Sequence, residues 1–246
     1  MEWYDELTAE QLFTAYVAAF SAILGGMISL AASFTVFWLS KRNERVRAAE
    51  ELRARRDTNA RIGLAKLAET TNQMFSLDQT LTEQFKDAHL AGAVSEEPAL
   101  FVRSMVAGQL GIEKLTAEEM EFLFYSNSGN LVSDILLFEK RAQTTLAVLT
   151  QYNEQREKLN EVFLSNDVSL QGDSDAKLNV KLEGKAAHEA DIRIASLNRL
   201  LADLAENAPL LMSDGFALID RFCAVAEEHF GSKFPKAQKR DGAPLC

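Results

Sequence analysis

Residues 11–40 of this chain form a run of thirty positions without one charged side chain, and Lys41, Arg42, Arg45 and Arg47 follow it at once. Crossing the hydrocarbon core of a bilayer takes about 20 mostly apolar residues in a helix. Residues 11–40 meet that requirement with length to spare, and the reading that follows is a retained transmembrane helix. A cleavable signal peptide fits poorly, because it starts basic and carries only about 7–15 apolar residues before a small-residue cleavage site. This chain starts acidic, with Glu2, Asp5, Glu6 and Glu10, and no such exit precedes the arginines.

Charge around the run predicts orientation. Residues 1–10 hold four acidic and no basic side chains, whereas residues 41–66 hold nine basic and four acidic ones. Basic residues close to a span stay on the cytoplasmic side. The expected plan is therefore a short outer segment (1–10), a transmembrane helix (11–40), a basic helical stalk (41–61) and a cytoplasmic domain beyond it, in an inner or plasma membrane. Tyr16 and Trp38 lie toward the two ends of the span, where interfacial aromatics belong. Lys41, Arg42, Arg45 and Arg47 are placed to meet anionic lipid head groups.

The remaining residues, 67–246, carry 17 basic and 28 acidic groups, and the whole chain has a net charge of −10. An acidic body argues against nucleic-acid binding, which requires basic surface. Two cysteines, Cys223 and Cys246, make no disulfide framework, as suits a reducing compartment.

Beyond the span, apolar residues recur at helical spacing and no stretch alternates as a half-buried strand would. The stripe Leu64, Leu67, Thr71, Met74, Leu81, Phe85 and Ala88 predicts that the first helix continues from the span to about Leu90. A break follows over 91–97. Pro98 opens a short helix expected over 98–109 with Ser95 as a nearby cap, and Gly111 closes it. Thr116 and Glu119 make a capping-box pattern ahead of a second short helix, 116–125. A long helix is expected over 131–164, striped by Ile135, Phe138, Ala142, Thr145, Leu149, Tyr152, Leu159 and Phe163. Arg156 interrupts that stripe. We read it as an edge position whose guanidinium reaches water, against the sharper alternative of a buried partner for an acidic side chain.

Residues 166–176 read as a loop. Asp173 and Asp175 invite a calcium reading, but the EF-hand positions for glycine and the next acidic ligand are not filled. Helices are expected over 176–207 and 210–230, separated at Pro209, with Gly231 as the stop and 232–246 as a disordered basic tail. The predicted fold is all-α: one N-terminal transmembrane helix leading into an antiparallel helical bundle over 62–231, with about four long helices and two short ones.

No pattern in the sequence points to catalysis, a cofactor or a metal. His89, His188 and His229 form neither a Glu-x-x-His nor a His-Glu-x-x-His arrangement. Cys223 reads as a small apolar residue on the last helix, and Cys246, as the final residue, lacks the three that a prenylation signal needs after it. The span itself carries the most suggestive pattern. Ser21, Gly25, Ser29 and Ser33 repeat every four residues, with Ala18, Ala22 and Gly26 on the adjoining row. Small residues at that spacing let membrane helices approach closely. The functional expectation is thus a membrane-anchored interaction, adaptor or assembly subunit without catalytic activity. The alternative is a homo-oligomeric membrane assembly, for signalling or passage, built on the small-residue face.

Overall fold

A computed structural model describes residues 9–90, 97–105, 111–126, 128–165, 182, 184–231 and 234–235. Among these residues there is no strand. Four α-helices carry the structure: α1 (Ala9–Leu90), α2 (Glu121–Tyr125), α3 (Gly129–Ser165) and α4 (Gly184–Phe230). A single 3-10 turn, Pro98–Leu100, lies between α1 and α2. The chain divides into two compact units, Met1–Arg55 and Arg56–Cys246.

The described part of the first unit is one stretch of helix α1. Every side chain described from Glu10 to Arg55 is exposed, and within α1 lies a window of mean hydropathy 1.9 that is long and apolar enough to cross a membrane. Its hydroxyls are handled locally: Thr14 Oγ1 donates to the Glu10 carbonyl and Thr35 Oγ1 to that of Ala31, both at 2.8 Å. Such bonds satisfy the hydroxyl inside its own helix, which matters wherever water is scarce.

The second unit has a shared apolar core. Its α1 portion buries Ala60, Leu64, Leu67, Thr71, Met74, Leu77 and Leu81, and the helix ends at Leu90 as the periodicity predicts. All eight stripe positions expected on α3 are buried. On α4 the buried row runs without interruption from Ala190 through Leu197, Leu204, Leu211 and Leu218 to Ala226. Helix α2 is fastened by Phe122, whose ring meets Phe222 edge-on at 5.1 Å. Gly231, at φ +100°, ends α4, and its N–H reaches the Glu227 carbonyl at 2.8 Å. Of the expected tail only Phe234 and Pro235 are described; Phe234 is buried, stacked on Phe230 with 5.9 Å between ring centroids.

Three sequence expectations need correction. Pro209 does not separate two helices: it lies inside α4. A proline in a helix interior loses one hydrogen bond and costs about 3 kcal/mol. Each large side chain of the stripe contributes about 1.5–3 kcal/mol on burial, so Leu204, Leu211, Leu218 and their neighbours outweigh one proline. Of the helix expected over 98–109, the described part is only the Pro98–Leu100 turn followed by chain without helix to Met105, because side chains from other helices take the main-chain groups; residues 106–109 lie outside the described residues. The helix expected over 116–125 begins as a turn and is regular only from Glu121. Its capping box does form: the Thr116 N–H donates to Glu119 Oε2 at 2.8 Å, and the Glu119 N–H to Thr116 Oγ1 at 3.3 Å. The break at 91–96, the loop 166–176 with its two aspartates, the start of the last long helical pattern and most of the tail lie outside the described residues.

A glycine makes one close helix contact. A Cβ on Gly215 of α4 would stand 2.8 Å from Thr71 Cγ2 and 3.0 Å from Thr71 Cβ, and nearer still to its hydroxyl. Gly215→Ala should therefore lower stability by about 1–3 kcal/mol through overpacking. Combining it with Thr71→Ala, which removes the two nearest of these atoms, the hydroxyl and Cγ2, should recover much of that loss. Thermal or denaturant melts of the two single variants and the double variant check this.

Candidate functional site

In the Met1–Arg55 unit, the small-residue positions Ala18, Ser21, Ala22, Gly25, Gly26, Ser29 and Ser33 are all exposed on α1. A Cβ added at Gly25 or Gly26 would meet nothing within 4 Å. Large apolar neighbours flank them: Phe20, Ile23, Met27 and Ile28 are each more than 60% exposed. The basic positions Lys41, Arg42, Arg45 and Arg47 are exposed too. Two of them fold back on the aromatic one turn earlier, Lys41 Nζ at 5.8 Å from the Phe37 ring centre and the Arg42 guanidinium at 5.7 Å from that of Trp38. Stacking of this kind carries the charge beside an apolar surface without burying it.

In the Arg56–Cys246 unit, several polar side chains with buried or half-buried heads converge on two segments outside the α-helices. The first segment is 97–105. Arg156 Nη1 and Nη2 donate to the carbonyls of Ala99 and Leu100 at 2.7 and 3.2 Å. The Tyr152 hydroxyl donates to the Val102 carbonyl at 2.8 Å. Asn153 makes a two-pronged pairing: its Nδ2 donates to the Met105 carbonyl at 2.8 Å and its Oδ1 accepts the Met105 N–H at 2.9 Å. Asn198 Oδ1 on α4 accepts the Ala99 N–H at 2.9 Å, and Gln84 Oε1 on α1 accepts the Arg103 N–H at 2.7 Å. Arg156 therefore does not run out to water as expected. It is half-buried, spent on carbonyls that a helix would otherwise have satisfied itself.

Burial shifts the titration of this group. Desolvation pushes the Tyr152 phenol up to about 12, partly opposed by the charge of Arg156, so the hydroxyl stays a donor at physiological pH. The same desolvation draws Arg156 down from its ordinary value, with Tyr152 acting against it.

The second segment is 111–120. Glu139 of α3, 2% exposed, accepts the Leu115 N–H at 2.7 Å. Lys66 of α1 bridges to Glu119 at 2.9 Å, the same carboxylate that closes the capping box. Arg56 pairs with Glu121 at 2.8 Å and lies 4.6 Å over the Tyr125 ring. Desolvation raises the Glu139 carboxyl above its usual range, and the Leu115 N–H opposes the shift.

Of the residues singled out in the sequence, His89 and His188 are exposed, while His229 is half-buried beside Phe230, 4.7 Å between ring centres. Cys223 is half-buried against the core. Among the described residues no three or more His, Cys, Asp or Glu side chains gather as a metal site would require. The sequence reading passed over Gln84, Asn153 and Asn198, whose main-chain partners lie 19, 48 and 99 residues away in the chain. A local signal existed for one of them: Tyr152, Asn153 and Arg156 put three hydrogen-bonding heads within a single turn of an otherwise apolar stripe. Comparison with protein families, curated proteins and solved structures finds no match to this chain.

Glu139 supports a prediction with a definite sign. A carboxyl whose folded pKa is raised makes the folded state bind the extra proton, so stability falls as pH rises through that raised value. Glu139→Gln keeps an oxygen for the Leu115 N–H without the buried charge. It should leave neutral-pH stability unchanged or higher and flatten the loss between mildly acidic and neutral pH. Glu139→Leu removes the acceptor and should cost about 1–3 kcal/mol. Melting curves from pH 4 to 8 on the three proteins distinguish these outcomes.

Proposed function

We infer that this chain is a single-pass membrane protein whose helical bundle works at the cytoplasmic face as an interaction, adaptor or assembly subunit. One observation carries the reading. An apolar helical stretch with every side chain exposed stands in the same chain as a unit that buries its own apolar residues in a core. Thirty uncharged residues left uncovered in water are an aggregation hazard; in a bilayer they are an anchor. The basic cluster Lys41, Arg42, Arg45 and Arg47 supports placing the larger unit on the cytoplasmic side, against anionic head groups. In this reading the bundle binds protein rather than nucleic acid, uses no cofactor and catalyses no reaction.

A second reading has its own support. The open face over Gly25 and Gly26 suits close packing with a second copy of the span, which would make the chain a homo-oligomeric membrane assembly. Gentle-detergent affinity purification with mass determination separates the two. Stoichiometric recovery of another protein supports the adaptor. A lone species at an integer multiple of 27.3 kDa supports the oligomer, and Gly25→Leu with Ser29→Leu should then return it to a monomer. A monomer free of partners from the unaltered chain overturns both.

Orientation has a separate check. Protease added outside sealed cells should leave the 56–246 unit intact and cleave it only after the membrane is opened. Replacing Lys41, Arg42, Arg45 and Arg47 by Gln should produce a fraction of chains with the opposite outcome.

A further inference from the structure

Glu139 of α3 is a charged group in an unusual position. It is 2% exposed, and among the described residues it forms no ion pair. It accepts the Leu115 N–H at 2.7 Å. The ammonium of Lys66 on α1 is engaged elsewhere, 2.9 Å from Glu119 Oε1 and 3.4 Å from the Lys114 carbonyl. Taking a carboxylate out of water without a paired cation is expensive, and binding a proton relieves the cost. The charged neighbours divide. Lys114 of the 111–120 segment and Lys66 of α1 favour the ionised form, whereas Glu119 of that segment opposes it. Glu113 of the segment acts on Lys66. Desolvation outweighs the favourable neighbours and holds the carboxyl above its usual range.

The same carboxyl fastens a segment that has no helical ladder of its own. Residues 111–116 are neither helix nor strand, and the chain begins to turn only at 117. Leu115 is buried, and it seats on α1 where a glycine leaves room. A Cβ on Gly63 would lie 3.5 Å from Leu115 Cδ2 and 3.2 Å from Glu119 Cβ. The segment runs directly into α2, where Phe122 meets Phe222 of α4 and Glu121 takes Arg56 of α1. Glu139 on α3 and Lys66 on α1 thus grip 111–120 from two helices, and the grip on Leu115 passes through a group that can gain or lose a proton.

We propose that Glu139 is a proton-operated latch: protonated, it lets the 111–120 segment close on α1 and α3, and ionised, it loosens that segment while the helices around it stay packed. Water reaches the carboxylate once the segment lifts, so the loosened state is the one in which the charge is stable. The sign follows from linkage. The closed state has the raised carboxyl and keeps its proton, whereas the loosened state has an ordinary carboxyl and gives it up. Closure is therefore fully present below the ordinary carboxylate value and is lost, about tenfold per pH unit, as pH rises through the raised value. This device belongs to the bundle and rests on neither the membrane anchoring nor the adaptor reading.

Amide hydrogen exchange on the full chain in detergent micelles reads the latch, with each rate normalised to that of an unstructured amide at the same pH. From about pH 5 to about pH 8, protection of the Leu115 amide should fall at least about tenfold, while the Leu149 and Leu204 amides inside α3 and α4 keep theirs, as expected of a local opening. Glu139→Gln should remove the pH dependence at Leu115. Constant protection of Leu115 in the unaltered chain would overturn the proposal. So would an equal fall at Leu149 and Leu204, which would make the opening global, or an undiminished fall in Glu139→Gln. Infrared difference spectroscopy across the same pH step gives a measure on the unaltered chain that does not depend on the variant's folding. Loss of a protonated carboxyl band is expected as Leu115 protection falls, and a step in which no buried carboxyl gives up a proton sinks the idea.

Discussion

The unbroken apolar stripe of α4 is the constraint on which the Arg56–Cys246 unit depends. Helix α3 packs along it, Thr71 of α1 closes on it at Gly215, and Phe122 of α2 meets it at Phe222. The stripe passes straight through Pro209, and only collective burial explains why it does. A proline's local cost is fixed, whereas the apolar surface on either side of it gains from every neighbour that α3 and α1 supply. If α4 broke at Asn207, its two halves would lose the common axis that lets one helix serve as the surface for three.

A unit built this way leaves its non-helical segments without ladder partners, and the polar side chains are distributed to meet that need. Backbone N–H and C=O groups removed from water require partners. The 97–105 segment obtains them from Tyr152, Asn153, Arg156, Asn198 and Gln84, and the 111–120 segment from Glu139, Glu119 and Lys66, which donates to the Lys114 carbonyl. Both segments are thereby fixed by chemistry sitting on rigid helices. The raised Glu139 carboxyl and the Tyr152 phenol at about 12 are the electrostatic trace of that burial.

The Met1–Arg55 unit obeys a different balance. Its described side chains, residues 10–55, are all exposed, so they have no packing reward among the described residues. The small-residue face and the basic cluster are consistent with a bilayer and with a neighbouring helix, and this is why the function proposed above is one of location and association.

Much of this was legible in the residue pattern. The 3.6-residue spacing located the buried face of α3 and, from Leu64 to Leu81, that of α1, because burial on a helix is periodic and periodicity survives in sequence. The Thr116–Glu119 box and the Gly231 stop were legible because capping is local chemistry, settled within four residues. What the sequence by itself determined was therefore the all-helical composition, the uncharged stretch with its basic flank, and which face of each helix is apolar. Only the tertiary structure decided that α4 continues through Pro209, that 98–105 is not an α-helix, and that Arg156 turns inward. Each of those outcomes is a contest between a local preference and partners distant in the chain, and the distant partners, Asn198 for Ala99 and Tyr152 for Val102, exist only once the helices have packed.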